Sequence, residues 1–149
     1  MKVMVIVKAS KALEAGEMPS AEVFAAMDKF NEELINAGIM LDGTGLTPSS
    51  RGARVRFSGS NRTVTNGPFA ETTEIIAGFE IWKVSSLQEA IDWVKKSPNP
   101  MIEDSEIEIR PLVEPEDFAG MVSPERIEEV KKLEAQSGDK DGYGLARFK

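Results

Sequence analysis

The 149-residue chain contains no cysteine and no histidine. Without cysteine it can form no disulfide, thiolate metal site or thiol nucleophile. Without histidine it lacks the commonest general base at neutral pH and the commonest metal ligand. Long apolar runs are also missing, because no stretch approaches the roughly 20 residues of a membrane span and the run Val3–Val7 is too short for a secretory signal. We therefore expect a cytoplasmic protein with no membrane association, no metal and no cofactor.

Positive charge is scarce, since 18 Lys and Arg residues face 25 Asp and Glu residues for a net charge of −7. Such a surface repels a phosphate backbone. The one basic cluster falls in a predicted hairpin, where solvated arginines are favoured over a nucleic-acid site. Two acidic clusters, 103–106 and 114–117, are interpreted as solvated turns rather than as Mg²⁺ or Ca²⁺ sites. The basic cluster consists of Arg51, Arg54, Arg56 and Arg62.

Hydrophobic periodicity predicts the element order β-α-β-hairpin-β-α-β. Ser20 is expected to cap a helix that ends at Gly38, and a capping box over 86–89 begins a second helix. Gly78, inside the longest strand, indicates a bulge or a close backbone approach. The first helix is expected to bury Val23, Met27, Phe30 and Leu34. The other predictions are strands at 2–8, 39–41, 75–84 and 107–109, a hairpin over 54–65, a loop over 8–18, a tight turn over 42–45 and a helix that begins at Ser123.

This order is that of a ferredoxin-like α+β sandwich, in which both helices cover one face of an antiparallel sheet. The other face is predicted to be apolar, so homodimerisation through that sheet face is expected, with cover by the C-terminal segment as the alternative. The predicted organisation is a domain over 1–120, a C-terminal helix over 121–136 and a flexible tail over 137–149. The residues expected on the apolar second face are Met4, Ile6, Trp82 and Val84.

Two loops could carry chemistry. The glycine-rich stretch 42–46 lacks the lysine of a phosphate loop, so a tight turn is favoured over a phosphate site. The segment Asn66–Glu74 joins a rigid turn to the carboxylates of Glu71 and Glu74. These two could cap backbone amides or act as a general-base pair, and a base would need burial against Phe69 to raise its pKa towards neutrality.

The segment Asn66–Glu74 resembles the signature of the YCII-related, DGPF-motif family, Asp-Gly-Pro-Phe-Ala-Glu-Thr-Lys-Glu. The resemblance extends over nearly the whole core in one order. It implies a ferredoxin-like dimeric α+β barrel, with a cleft near the subunit interface lined by the end of the first strand, the loop 45–49 and the signature. Further matching stretches are 18–20, 31–34, 37–38, 45–46, 48–49, 64–65, 76–79, 89–91, 98–101, 106–110 and 116–118.

Some members of this family resemble lyases or dehalogenating enzymes that use a His–Asp pair, a mechanism that a chain without histidine cannot use. Asn66 and Thr73 also replace the Asp and Lys of the signature. The resulting hypothesis is a homodimer with a small-molecule-binding cleft that could carry out acid–base, lyase-like chemistry, with Lys8 holding an anionic group. Its expected catalytic residues are Asp42, Glu71 and Glu74, and its expected ligand-binding residues are Lys8, Gly45, Leu46, Ser49, Asn66 and Phe69.

An alternative comes from the same resemblance. Relatives of the family are often encoded beside extracytoplasmic-function sigma factors, which implies a non-enzymatic accessory or regulatory role in transcription initiation. The acidic charge means that such a role would run through protein contacts and not through DNA. A third hypothesis is a stable dimer whose cleft is vestigial.

Overall fold

The computed structural model describes residues 1–70 and 74–136. The expected catalytic Glu71, the signature position Thr73 and the tail predicted over 137–149 lie outside these residues. The strands are β1 (Lys2–Lys8), β2 (Met40–Gly45), β3 (Ala53–Ser58), β4 (Asn61–Asn66), β5 (Ile76–Lys83) and β6 (Ile107–Pro111). The helices are α1 (Lys11–Glu14), α2 (Ala21–Asn36), α3 (Leu87–Val94) and α4 (Pro124–Gln136), with 3₁₀ turns at Ser49–Arg51 and Pro115–Phe118.

Four strands form an antiparallel sheet in the order β2-β5-β1-β6, and β3 and β4 form a separate two-stranded hairpin. The predicted α+β class is confirmed, and the strand order is compatible with a ferredoxin-like fold. The first strand of the chain is central in the sheet, with β5 and β6 paired along its two edges.

Helix α2 begins and ends where the sequence predicts. The hydroxyl of Ser20 accepts a hydrogen bond from the backbone N–H of Val23 at 3.3 Å. At the other end, Gly38 has φ +70° and its N–H donates to the Ile35 carbonyl, while the N–H of Ile39 donates to the Leu34 carbonyl. These two bonds form a Schellman motif, which needs a residue in the left-handed conformation and therefore favours glycine.

The core lies between the helices and one face of the sheet, and it corrects one prediction. Trp82 pairs in register with Val3, and both are almost completely buried with Leu34 of α2 and Ala90 of α3. The expectation that Trp82 and Val84 lie on the second face is therefore wrong, because side chains alternate along a strand and this set faces the helices.

The second face of the sheet carries the side chains that alternate with this buried set along β1 and β5. Met4 pairs with Ile81, and Ile6 pairs with Phe79. Ile81 is fully buried within the single chain, and the other three are half-buried. The apolar centre of this face is thus smaller and more shielded than the sequence suggests.

Two segments differ from their predicted structure. A short helix, α1, occupies part of the predicted loop over 8–18, and the hydroxyl of Ser10 caps it. The predicted tight turn over 42–45 is instead the second half of strand β2. A Cβ atom on Gly78 would lie 2.9 Å from the Thr44 carbonyl oxygen, so the backbones of β2 and β5 approach closely at Gly78, as the sequence predicts. Residues 43–45 pair with β5 there and belong to the sheet.

No helix in the described part of the chain is both long enough and apolar enough to span a bilayer.

Candidate functional site

A cavity of about 650 Å³ lies between α2 and the β2–β5 half of the sheet. We call it the glycine-floored cavity, because Gly43, Gly45 and Gly78 form part of its lining where two strands pair. Gly43 makes room for two of the lining side chains, since a Cβ atom there would lie 2.7 Å from Met40 Cε and 2.9 Å from Glu80 Cγ. The glycines on this part of the sheet therefore let neighbouring side chains and the cavity lie close to the strand backbone.

The walls of the cavity are mostly apolar. The predicted apolar stripe of α2 divides in two, since Phe30 and Leu34 pack into the core while Val23 and Met27 line the cavity. Four further lining residues are exposed large apolar side chains, which is unusual for side chains without a binding role. They are Met18, Phe24, Ile35 and Leu46.

The lining also includes the polar residues Asp28, Asn31, Thr44 and Glu80, of which Glu80 and Asn31 are distinctive. The carboxyl group of Glu80 accepts a hydrogen bond from the indole Nε1–H of Trp82 at 2.6 Å. Burial raises the pKa of Glu80, and the Trp82 hydrogen bond opposes that effect only in part. The side-chain oxygen of Asn31, on α2, is buried and has no hydrogen-bond partner among the described residues. An unsatisfied buried acceptor is costly and calls for an explanation, and a bound ligand is one.

This arrangement suits recognition of a small organic molecule. Its volume lies within the range of ligand pockets, which combine apolar walls with a few placed polar groups. Asn31 Oδ1 can accept a hydrogen bond from a ligand, and the carboxyl group of Glu80, when protonated, can donate one. A carboxyl group with a raised pKa is also suited to general acid–base chemistry near neutral pH.

Sequence reasoning missed both polar groups. Part of the signal for Glu80 was present, because alternation on β5 places it on the same face as Gly78 and Trp82, which the structure shows to be the core-facing side. A carboxylate at a core position beside a strand glycine indicates a site. Asn31 carried no such signal, since a polar residue on a helix is ordinary until its partners are known.

A second constellation, formed by hydrogen bonds to Ser49, ties three segments together. The backbone N–H and the hydroxyl of Ser49 both donate to the carboxylate of Glu14, at 3.0 and 2.5 Å. The same hydroxyl accepts from the backbone N–H of Phe69 at 3.0 Å. The Ser49 carbonyl lies so close to Gly67 that any side chain there would overlap it. Ser49 thus connects α1 to the signature loop, and its expected ligand-binding role stays a prediction.

The remaining expected ligand-binding residues lie in several places. Gly45 and Leu46 line the glycine-floored cavity. Phe69 is half-buried with its ring 4.0 Å from the guanidinium carbon of Arg54, and Asn66 is exposed at the end of β4.

Lys8, Asp42 and Glu74 do not line this cavity. Lys8 Nζ pairs with Glu108 at 3.1 Å, and this contact, followed by Arg110, holds the pKa of Glu108 below its usual range. Asp42 accepts a hydrogen bond from the adjacent Gly43 N–H at 2.8 Å. Glu74 is exposed.

Register also separates Lys8 from Asp42. They pair with Ile76 and Ile81, five positions apart on β5, which corresponds to about 16 Å along that strand. Lys8 and Asp42 therefore cannot hold one small ligand between them within this chain, and their catalytic and binding roles stay predictions.

No group of three or more carboxylates within 1–70 and 74–136 is placed to hold a metal ion.

Comparison with known proteins agrees with the signature. The chain is 31% identical over 90 residues to an uncharacterized protein of Rhizobium meliloti (strain 1021), a match that covers 60% of this chain and 73% of that protein. The family model described as the YCII-related domain matches residues 1–116. This match covers every strand of the sheet, the helices α1 to α3 and the glycine-floored cavity, and the chain therefore belongs to the YCII-related family.

Proposed function

We propose that the protein binds a small, largely apolar molecule that carries a hydrogen-bond donor, such as a hydroxyl group, in the glycine-floored cavity. The observation that carries this proposal is the unpartnered, buried oxygen of Asn31 in the lining of an otherwise mostly apolar cavity. A donor on the ligand would satisfy that oxygen, and the apolar remainder would cover Met18, Phe24 and Leu46 at the exposed part of the lining.

Glu80 is the residue we propose for any acid–base step at this site. Its carboxyl group belongs to the cavity lining, and burial favours its protonated form. A protonated carboxyl group could donate to an oxygen or nitrogen of the ligand and take the proton back later, which is the role of a general acid–base catalyst. This assignment does not need the histidine that this chain lacks.

A matched pair of probes tests the proposal. 1-Octanol and 1-methoxyheptane are isomers, and only the alcohol can donate a hydrogen bond. By isothermal titration calorimetry at pH 7 we expect 1-octanol to bind at least roughly tenfold more tightly, since an unsatisfied acceptor costs on the order of 1–3 kcal/mol. In Asn31→Leu the two probes should bind alike. Equal binding of both probes to the unaltered protein, or binding of neither, would contradict the proposal.

A cavity-filling variant provides the steric test. At Gly45 a new Cβ atom would meet only the Ala77 carbonyl oxygen, at 3.9 Å, so Gly45→Val should fold normally while occupying ligand space. We expect it to lose 1-octanol binding. Thr47→Val exchanges a hydroxyl for a methyl group in the adjoining exposed loop with little change in volume, and it should bind as the unaltered protein does. Unchanged binding by a folded Gly45→Val protein would place the ligand elsewhere.

We further infer a homodimer joined through the sheet face opposite the helices. Support comes from the half-buried Met4, Ile6 and Phe79, beside which lie charged side chains such as Lys8 and Glu108. An apolar centre with a polar rim is the usual anatomy of a protein interface. Ile6→Lys should dissociate the dimer in sedimentation velocity, and Leu87→Lys, on the helix side, should not. A folded Ile6→Lys protein that remains dimeric would exclude this interface.

A further inference from the structure

The β3–β4 hairpin is the least supported part of the described chain. All of its strand residues are exposed, and it pairs with no other strand of the described sheet. One face nevertheless carries Val55, Phe57 and Val64, which are 49%, 71% and 62% exposed. Val55 and Val64 are directly paired across the hairpin, so the three form one patch. An isolated hairpin is marginally stable in water, and an exposed apolar patch of this kind marks a contact surface.

The charge of the hairpin is opposite to that of the whole protein. Between residues 53 and 66 there are three arginines and no acidic residue, although the chain as a whole has a net charge of −7. Arg62 lies over the ring of Phe57 at 4.4 Å, so positive charge adjoins the apolar patch directly. A partner surface for this hairpin therefore needs exposed apolar side chains surrounded by carboxylates.

Such a surface exists in the same chain. Residues 113–130, which we call the C-terminal arm, contain six carboxylates and a single arginine. Its apolar side chains are unusually exposed, with Met121 at 80% and Val113 at 67%. Phe118 and Val122 are also exposed. A salt bridge of 2.7 Å between Lys131 and Glu116 holds α4 against the preceding 3₁₀ turn, so the arm is a structured surface.

We propose that the hairpin of one protomer docks on the C-terminal arm of a second copy of this chain. Both surfaces are exposed within one chain, so they do not cover each other there. In a two-fold dimer the contact occurs twice, because each protomer contributes one hairpin and one arm. The three most exposed large apolar side chains of the described residues, Met121, Phe57 and Val113, all belong to the hairpin or the arm, whereas the sheet face is already partly covered. This contact is independent of ligand binding in the glycine-floored cavity.

Charge exchange tests the proposal with two complementary variants. The hairpin variant carries Arg62→Glu, at the arginine that lies on the apolar face, and the arm variant carries Glu125→Lys and Glu129→Lys. Each alone brings like charges together, so we expect its dimer to dissociate roughly tenfold more readily in sedimentation velocity. In an equimolar mixture both contacts are again between opposite charges. Native mass spectrometry with one isotope-labelled variant should therefore show mixed dimers in preference to either homodimer.

Apolar substitutions supply the second readout. Phe57→Ser and Met121→Ser should each weaken association, whereas Ile102→Ser, at a residue 54% exposed in a loop outside both surfaces, should not. Circular dichroism checks that all variants are folded. Dimers that tolerate the charge reversals, a mixture without mixed dimers, or a monomeric unaltered protein would overturn the proposal. Loss of 1-octanol binding in an otherwise normal dimer would contradict only the cavity function, and dissociation by Ile6→Lys alone would support only the sheet-face contact.

Discussion

At the scale of single residues, Glu80 is an ionisable group on the buried face of the sheet. It shares that face of β5 with Gly78 and Trp82, and its carboxyl group must there either carry a charge in a poorly hydrated environment or keep its proton. Glycine at position 43 provides the space that the side chain needs, because a Cβ atom there would approach Glu80 Cγ to 2.9 Å. The indole of Trp82 supplies one donor, which is less than an ionised carboxylate can accept.

The pH dependence of the free energy of unfolding should show the cost of burying the Glu80 carboxyl group. Because the pKa of Glu80 is raised on folding, the folded protein loses stability as pH rises from the ordinary carboxyl pKa through the raised value. Glu80→Gln removes that loss, so the variant should be more stable than the unaltered protein at pH 7. The advantage should shrink as pH falls through the raised pKa. Urea denaturation at a series of pH values measures it.

Glu89 provides the control of opposite sign. Its pKa is lowered by hydrogen bonds from the hydroxyl and backbone N–H of Ser85. Glu89→Gln should therefore be less stable than the unaltered protein at neutral pH, and the deficit should vanish as pH falls through the lowered pKa. Parallel behaviour of the two variants would contradict the assignment of a buried, proton-retaining carboxyl group to Glu80.

Residue patterns predicted some positions and not others for a physical reason. Ser20 and Gly38 were recognisable because helix caps depend on local backbone geometry alone. Asn31 and Glu14 were not, because their roles arise from segments distant in sequence, as in the bonds that join Glu14 to Ser49.

At the scale of elements, the order of the strands along the chain followed from the sequence, but the orientation of the sheet towards the helices did not. Alternation on β5 correctly divides its residues between the two faces of the sheet. No local pattern, however, shows which of these faces packs against the helices. Trp82 packs under α2 and α3 because the register with Val3 places it there. The glycines at 43 and 45 lie beside Asp42 and have the composition of a turn, although close strand packing requires glycine equally.

Ser49 joins elements whose association the sequence could not predict. Ser49→Ala removes the hydroxyl that donates to Glu14 and accepts from the Phe69 N–H. We expect a loss of about 1–3 kcal/mol in the free energy of unfolding, because Ser49 is buried and its partners would be left unsatisfied. Ser50→Ala, at the adjacent exposed position, should change stability by less than about 0.5 kcal/mol. Urea denaturation of both variants provides the measurement, and equal effects would show that these bonds contribute nothing.

At the scale of the whole molecule, the chain divides into a covered body and two uncovered extensions. The body is the four-stranded sheet with α2 and α3, and the extensions are the hairpin and the C-terminal arm. The sequence predicted that apolar surface would remain for a partner. The sequence pattern pointed to the sheet face for this surface. It did not point to the hairpin, because the hairpin is exposed only since it does not join the four-stranded sheet, and no local pattern reveals that.

Replacement of residues 53–66 by Asn-Gly tests this division. The ends of the hairpin are already joined, since the N–H of Gly67 donates to the Gly52 carbonyl at 2.9 Å. Because the removed strand residues are all exposed, the body should keep its fold, with a change of less than about 1 kcal/mol in unfolding free energy measured for the monomer. Amide hydrogen exchange should show the four-stranded sheet still protected. Unfolding of the shortened chain would show that the hairpin is part of the core.

The hydrogen bond from Trp82 to Glu80 also gives the protein a built-in optical reporter. Trp82 is 1% exposed, and its indole nitrogen is bound to the carboxyl group that lines the cavity. The sequence holds only two tryptophans, so Trp93→Phe leaves Trp82 as the single source of indole fluorescence. Its emission should then follow both the protonation of Glu80 and the entry of a guest molecule, without any added label.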